Sequence, residues 1–170
     1  MGGRSLPSAL VLLILCLTPV SCWYYSFSGA TIPSHLNSVA IPLAEDRSIS
    51  TVSGLDERLT QFLVDRFVGQ TRLILETSQS EADAVLNATI QNYQNRPTSV
   101  GGDERATRNR VTISVNVRYV DVDRSEDILS RTFSGFEEYD PLDPSLEEEA
   151  ALAALEKVAD DIFTAATSNW

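Results

Sequence analysis

The chain has 170 residues, 13 of them basic and 24 acidic, for a formal net charge of −11. That length fits one domain whose core needs no disulfide, and the acidity excludes a general nucleic-acid binder, which needs a basic surface for phosphates. Lys157 is the only lysine; the arginines suit forked pairing with phosphate or carboxylate, although a compositional bias explains the same count.

The chain opens with Arg4, an apolar run from Ala9 to Leu17 and the small-residue stretch Pro19-Val20-Ser21, followed by Cys22. A charged start, a short apolar segment and a small-residue site are what a signal peptidase reads. The run is far short of the roughly 20 residues that span a bilayer. Residues 1–21 are therefore expected to be a lipoprotein signal peptide, with residues 22–170 forming a single domain that begins at a lipidated Cys22. Pro19 stands where the usual lipobox has leucine, and the alternative is an ordinary secreted protein cut nearby. Cys16 leaves with the leader and Cys22 is used for lipid, so no disulfide is expected.

An aromatic cluster, Trp23-Tyr24-Tyr25-Ser26-Phe27, comes next. Ser38 to Leu43 reads as a short strand, and Ser48 to Ser53 as a polar loop. From Gly54 to Gln70 the spacing predicts a helix, with Leu55, Leu59, Phe62, Leu63 and Phe67 on one face. Ser53 and Asp56 resemble a capping arrangement. Arg72 to Thr77 and Ala84 to Asn95 are expected strands, the latter ending at Pro97. From Asn109 to Asp123 apolar and polar residues alternate strictly, which predicts one buried and one solvated sheet face. Ile128 to Glu138 is its hairpin partner. After Asp140-Pro141-Leu142-Asp143-Pro144 a last helix is expected, opened by a Ser145/Glu148 capping box. The fold class is α+β: two helices packed on one face of a mainly antiparallel sheet of four to five strands.

Catalytic material is sparse. His35 is the only histidine and lies in a Pro-flanked loop, where it is expected to be a surface residue. Carboxylates alone would have to complete a metal site around it, which is a weak pattern for zinc. Asp121/Asp123, Glu126/Asp127, Glu137/Glu138 and Glu147/Glu148/Glu149 lack the spacing of a calcium loop and are expected to be solvated charge. Gly101-Gly102 is not a phosphate loop. No catalytic residue, metal or cofactor is assigned. The exception to the acidity is the segment Arg96 to Arg110, where Arg96, Arg105, Arg108 and Arg110 face only Asp103 and Glu104. It is expected to be a mobile loop between strands, either a solubilising connection or a contact for lipid phosphates through forked hydrogen bonds.

Taken together, Cys22-Trp23-Tyr24-Tyr25-Ser26-Phe27-Ser28-Gly29, Ser38-Val39-Ala40-Ile41-Pro42, Gln70-Thr71-Arg72-Leu73, Asn109-Arg110-Val111-Thr112-Ile113-Ser114-Val115 and the closing Asp160-Asp161-Ile162-Phe163 with Asn169-Trp170 resemble the LptE family of lipopolysaccharide-assembly lipoproteins. The resemblance covers nearly all of residues 22–170, though no single motif is diagnostic. It implies two helices on a four-stranded sheet, an outer-membrane location in a Gram-negative bacterium, and no enzymatic activity. It further implies that the protein plugs the large LptD β-barrel and supports its assembly for insertion of lipopolysaccharide into the outer leaflet. Arg96, Arg105, Arg108 and Arg110 become the candidate lipopolysaccharide contacts. Trp23, Tyr24, Tyr25 and Phe27 become candidate contacts with barrel or bilayer interface, and acyl chains on Cys22 hold the membrane. The chain's acidity would repel an anionic lipid, within the roughly 10 Å that salt leaves unscreened. The alternative function is a free-standing periplasmic lipoprotein that binds a small ligand or cell-envelope component.

Overall fold

The computed structural model describes residues 32–100 and 106–168. Cys22, the aromatic segment Trp23–Phe27, Arg105 and Asn169–Trp170 lie outside the described residues. Eight elements follow in order: β1 (Ser38–Ala40), β2 (Glu45–Asp46), α1 (Leu55–Phe67), β3 (Ile74–Leu75), β4 (Ala84–Val100), β5 (Ala106–Asp121), β6 (Glu126–Tyr139) and α2 (Ser145–Thr167). They form a six-stranded sheet in the order β3-β1-β4-β5-β6, with β2 also pairing with β4.

The three long strands β4, β5 and β6 are antiparallel, as expected. The short strands run parallel: β1 to both β3 and β4, and β2 to β4. The sheet is therefore mixed, because the chain leaves β1 and returns to β3 through α1, a crossover that delivers a parallel neighbour.

The alternation on β5 sorts its side chains as expected. Val111, Ile113, Val115, Val117 and Tyr119 are fully buried, while Thr112, Ser114 and Asn116 lie at the opposite surface, with Arg118 exposed. Register carries this division across the hairpins. Ile90, Val115 and Phe133 share the covered face, and Asn87, Arg118 and Ser130 the open one. Both helices sit on the covered face. Phe67 of α1 meets Tyr119 of β5 and Phe163 of α2 edge-on, at centroid distances of 5.6 and 5.4 Å. On the α2 side, Gly135 of β6 lies so near the helix that a Cβ there would clash with the Ala154 carbonyl and a Val158 methyl. Burying each large aliphatic side chain of this layer contributes about 1.5–3 kcal/mol.

Several local expectations are corrected. Gly54, at φ 75°, starts α1 without a side-chain cap, so Ser53 and Asp56 form none; glycine takes this left-handed conformation at little cost. At α2 the Ser145/Glu148 box is also absent. Asp143 Oδ1 instead accepts the Ser145 backbone N–H at 3.0 Å and its hydroxyl at 2.6 Å. Strand β4 does not stop at Pro97 but runs to Val100, with register shifts on either side of Ser99. Proline lacks an N–H and is tolerated in strands at such irregularities and at free edges. The segment from Arg96 to Arg110 is thus not mainly a loop: strand continues to Val100 and resumes at Ala106.

Candidate functional site

Strand continuation brings the arginines into a defined arrangement. Arg96 on β4 and Arg110 on β5 are direct cross-strand partners, with Arg96 exposed. Like charges placed opposite each other destabilise a sheet unless something compensates, and here Glu138 does so in part. Its Oε1 accepts from Arg110 Nε at 3.1 Å and Nη2 at 2.6 Å. The Arg110 guanidinium also stacks 4.5 Å from the Phe136 ring centroid, and that ring remains 51% exposed. Lys157 reaches round from α2 to the Phe136 carbonyl and the Glu137 carboxylate, and the Lys157 bond holds the Glu137 carboxyl below its ordinary value. Arg108 instead lines an open cleft of about 410 Å³ with Glu137, Tyr139, Leu146 and Ala150. The structure therefore brings Arg96 and Arg110 together and points Arg108 elsewhere.

Beneath this end of the sheet lies a polar cluster that sequence spacing did not reveal. Glu147, expected to be a solvated helix-start charge, is half-buried. Its Oε1 accepts from Thr51 at 2.6 Å and from the Tyr93 hydroxyl at 2.8 Å. Its Oε2 accepts from the Tyr139 hydroxyl at 3.4 Å, which in turn receives Asn95 Nδ2 at 2.6 Å and Asn109 Nδ2 at 3.3 Å. The Thr51 bond, followed by those from the tyrosines and Asn95, outweighs burial and lowers the Glu147 carboxyl below its usual range. Burial, then the neighbouring Glu147 carboxylate, pushes the Tyr93 phenol up. The cluster ties α2 and the loop before α1 to the hairpin that carries the arginines. The signal available in sequence was Tyr93 and Tyr139 themselves, since most buried phenols find a partner, the buried Tyr119 hydroxyl being an exception here.

At the opposite end of β5, His35 is not the free surface residue expected. Its Nε2 lies 2.6 Å from Asp121 Oδ2, and the Asp121 side chain is only 5% exposed. Asp121 is thus not solvated charge, and its Oδ1 accepts the Arg124 backbone N–H at 3.0 Å. Burial works to raise the Asp121 carboxyl, but the His35 and Arg124 contacts prevail and lower it. This pair fastens the segment before β1 to the β5–β6 turn. Between the two ends, the open face of β4–β6 carries Asn87, Thr89, Asn92, Gln94, Thr112, Ser114, Asn116, Ser130, Thr132 and Ser134, all hydroxyls or amides.

No group of three or more His, Cys, Asp or Glu able to hold a metal ion occurs among the described residues. No helix among them is long and apolar enough to cross a membrane.

The fold is shared with solved structures of very different sequence. A protein from Xanthomonas campestris matches with a TM-score of 0.57 at 12% identity, covering 79% of this chain and 87% of that one. One from Chlamydia trachomatis matches at 0.56 and 11%, covering 79% and 99%. Lipoprotein B from Nitrosomonas europaea matches at 0.54 and 13%, covering 83% and 87%. At such identities the likeness concerns the fold alone. A comparison with curated proteins gives no match. The sequence itself decides the family: the model described as LptE, lipopolysaccharide-assembly, matches residues 36–166, the whole helix-and-sheet unit from the turn before β1 to the last turn of α2, and the chain belongs to the LptE family.

Proposed function

We propose that the chain is an outer-membrane lipoprotein that plugs an LptD-like β-barrel and supports its assembly, so that lipopolysaccharide is inserted into the outer leaflet. The family match over residues 36–166 carries this reading. Residues 1–21 are the signal peptide, and the mature protein begins at Cys22. Acyl chains on Cys22 provide the two or more membrane signals that stable anchoring needs, and Trp23, Tyr24, Tyr25 and Phe27 meet the barrel or the bilayer interface, where aromatic residues are favoured. The role is non-enzymatic, a matter of scaffolding and hand-over.

Within this reading Arg96 and Arg110 are the lipopolysaccharide contacts the geometry favours, with Arg108 of β5 and, outside the described residues, Arg105 as further candidates. Two guanidiniums side by side on an exposed face suit a phosphate, which accepts forked hydrogen bonds from each.

Affinity purification of the tagged protein from detergent-solubilised outer membrane tests the partnership. A large β-barrel protein recovered in near-equal amount is expected; recovery of the lipoprotein alone would overturn the plug reading and favour a free-standing ligand binder. Cys22→Ala is expected to move the protein into the soluble fraction, and its persistence in membranes after a high-salt wash would count against lipid anchoring.

A further inference from the structure

The open face of β4–β6 is unusual for a chain with a net charge of −11. Its centre carries hydroxyl and amide side chains only, and the charged pairs stand at its ends. Arg118 Nε and Asp127 close one end at 3.0 Å; Arg96, Arg110 and Glu138 close the other. Cross-strand hydrogen bonds order the centre, with Ser114 and Ser134 hydroxyls 2.8 Å apart and Asn116 Nδ2 donating to Thr132 Oγ1 at 3.3 Å.

We propose that this face contacts the saccharide portion of lipopolysaccharide, a deepening that rests on the lipopolysaccharide-assembly reading above. A surface with no charge gives an ionic ligand nothing to pair with, and one covered in hydrogen-bonding groups leaves those groups unpaired against an acyl chain. A neutral polyhydroxyl ligand fits both conditions. Serine and threonine hydroxyls donate and accept by rotating, and amides offer two donors and an acceptor, so each can exchange a water for a sugar hydroxyl. Phe136 supplies the apolar element at the edge of the hydroxyl field: its ring is 51% exposed, with the Arg110 guanidinium and Lys157 Nζ 4.5 and 6.0 Å from its centroid, so a sugar meets the uncovered rim of the ring. The charge at the ends gives the contact a direction. The phosphate-bearing sugars lie towards Arg96 and Arg110, and the neutral glycan runs along β5 towards Arg118.

The test uses the full processed chain in detergent and two probes: the lipid-free polysaccharide released from lipopolysaccharide by mild acid, and the same material after dephosphorylation. Backbone amide shifts are mapped by NMR during titration. Both probes are expected to shift residues 112–116 and 130–136. Ser134→Glu is expected to raise the half-saturating concentration at least about fivefold, as loss of one hydrogen bond of ordinary net strength implies. Phe136→Ala provides the second variant, with a similar loss expected, and circular dichroism checks that both fold. Shifts only with the phosphorylated probe and only near Arg96 and Arg110 would overturn the proposal in favour of phosphate recognition alone. No shifts with either probe, together with loss of the copurifying barrel in Ser134→Glu, would overturn it by making the face a barrel contact. In either case a barrel that copurifies with the unaltered chain leaves the plug reading standing.

Discussion

The two faces of β4–β6 are built from alternate residues of the same strands, yet they obey different constraints. On the covered face each side chain is fixed by the volume that α1 and α2 leave: Ile113 and Val115 are fully buried and the Gly135 position has no room for a methyl group. On the open face Ser114 and Asn116 meet their cross-strand neighbours through the tips of their side chains. The contrast teaches where function can be written. Covered positions are committed to stability, whereas open ones can change chemistry at little cost, and the proposed polysaccharide contact would use that freedom.

The largest expected effect breaks the covered face. Ile113→Ala leaves a cavity beneath the helices and should cost about 2–5 kcal/mol, lowering the melting temperature by roughly 2–4 °C for each kcal/mol; a loss below about 1 kcal/mol in urea titration would show that the core collapses around the gap. Gly135→Ala acts in the opposite sense, by overfilling. Its Cβ must push back the Ala154 carbonyl, backbone that yields poorly, and about 1–3 kcal/mol is expected. Unchanged stability would mean that α2 shifts freely over β6.

A smaller effect sharpens the boundary between the faces at Glu147. Its carboxyl is lowered in the fold, chiefly by the Thr51 hydrogen bond. A lowered acid contributes stability that is present above the unfolded value, near pH 4.3, and lost as pH falls through the folded value. Glu147→Gln keeps an acceptor for Thr51 and Tyr93 but loses the charge that strengthens both bonds, so about 1 kcal/mol is expected at pH 7. The gap between variant and parent should close as the solution is acidified below the ordinary carboxylate range. A gap that persists at pH 3 would show that the charge is not what holds the cluster.

What the sequence disclosed and what it hid follow from the range of the interactions. Period-two alternation on β5 and the 3.6-residue spacing on α1 are local, and both gave their elements directly. The apolar stripe on α1 did not register Arg66, which falls beside Leu59 and Leu63 and is buried against α2, its Nε 2.5 Å from Asp160. The Arg96–Arg110 pairing was hidden by Pro97, which signals the end of a strand unless a bulge and a free edge accommodate it. Glu147 with Thr51 and Tyr93, and His35 with Asp121, join positions 54 to 96 residues apart; no local pattern marks such partners, which become visible only when the sheet register is known.

The smallest expected effect lies on the open face, and its size is the point. Ser114→Ala removes one hydroxyl from a pair that water can replace on both sides, so the change in stability should stay within about 0.5 kcal/mol, as for most surface substitutions. Ser134, its partner, keeps access to solvent and is not left as a buried orphan. A loss well above 1 kcal/mol would mean that the Ser114–Ser134 bond helps hold β5 to β6, and that the face is structural rather than available. If stability is unchanged while polysaccharide binding weakens, the two faces have separate tasks: one maintains the fold, and the other is free to be shaped by its ligand.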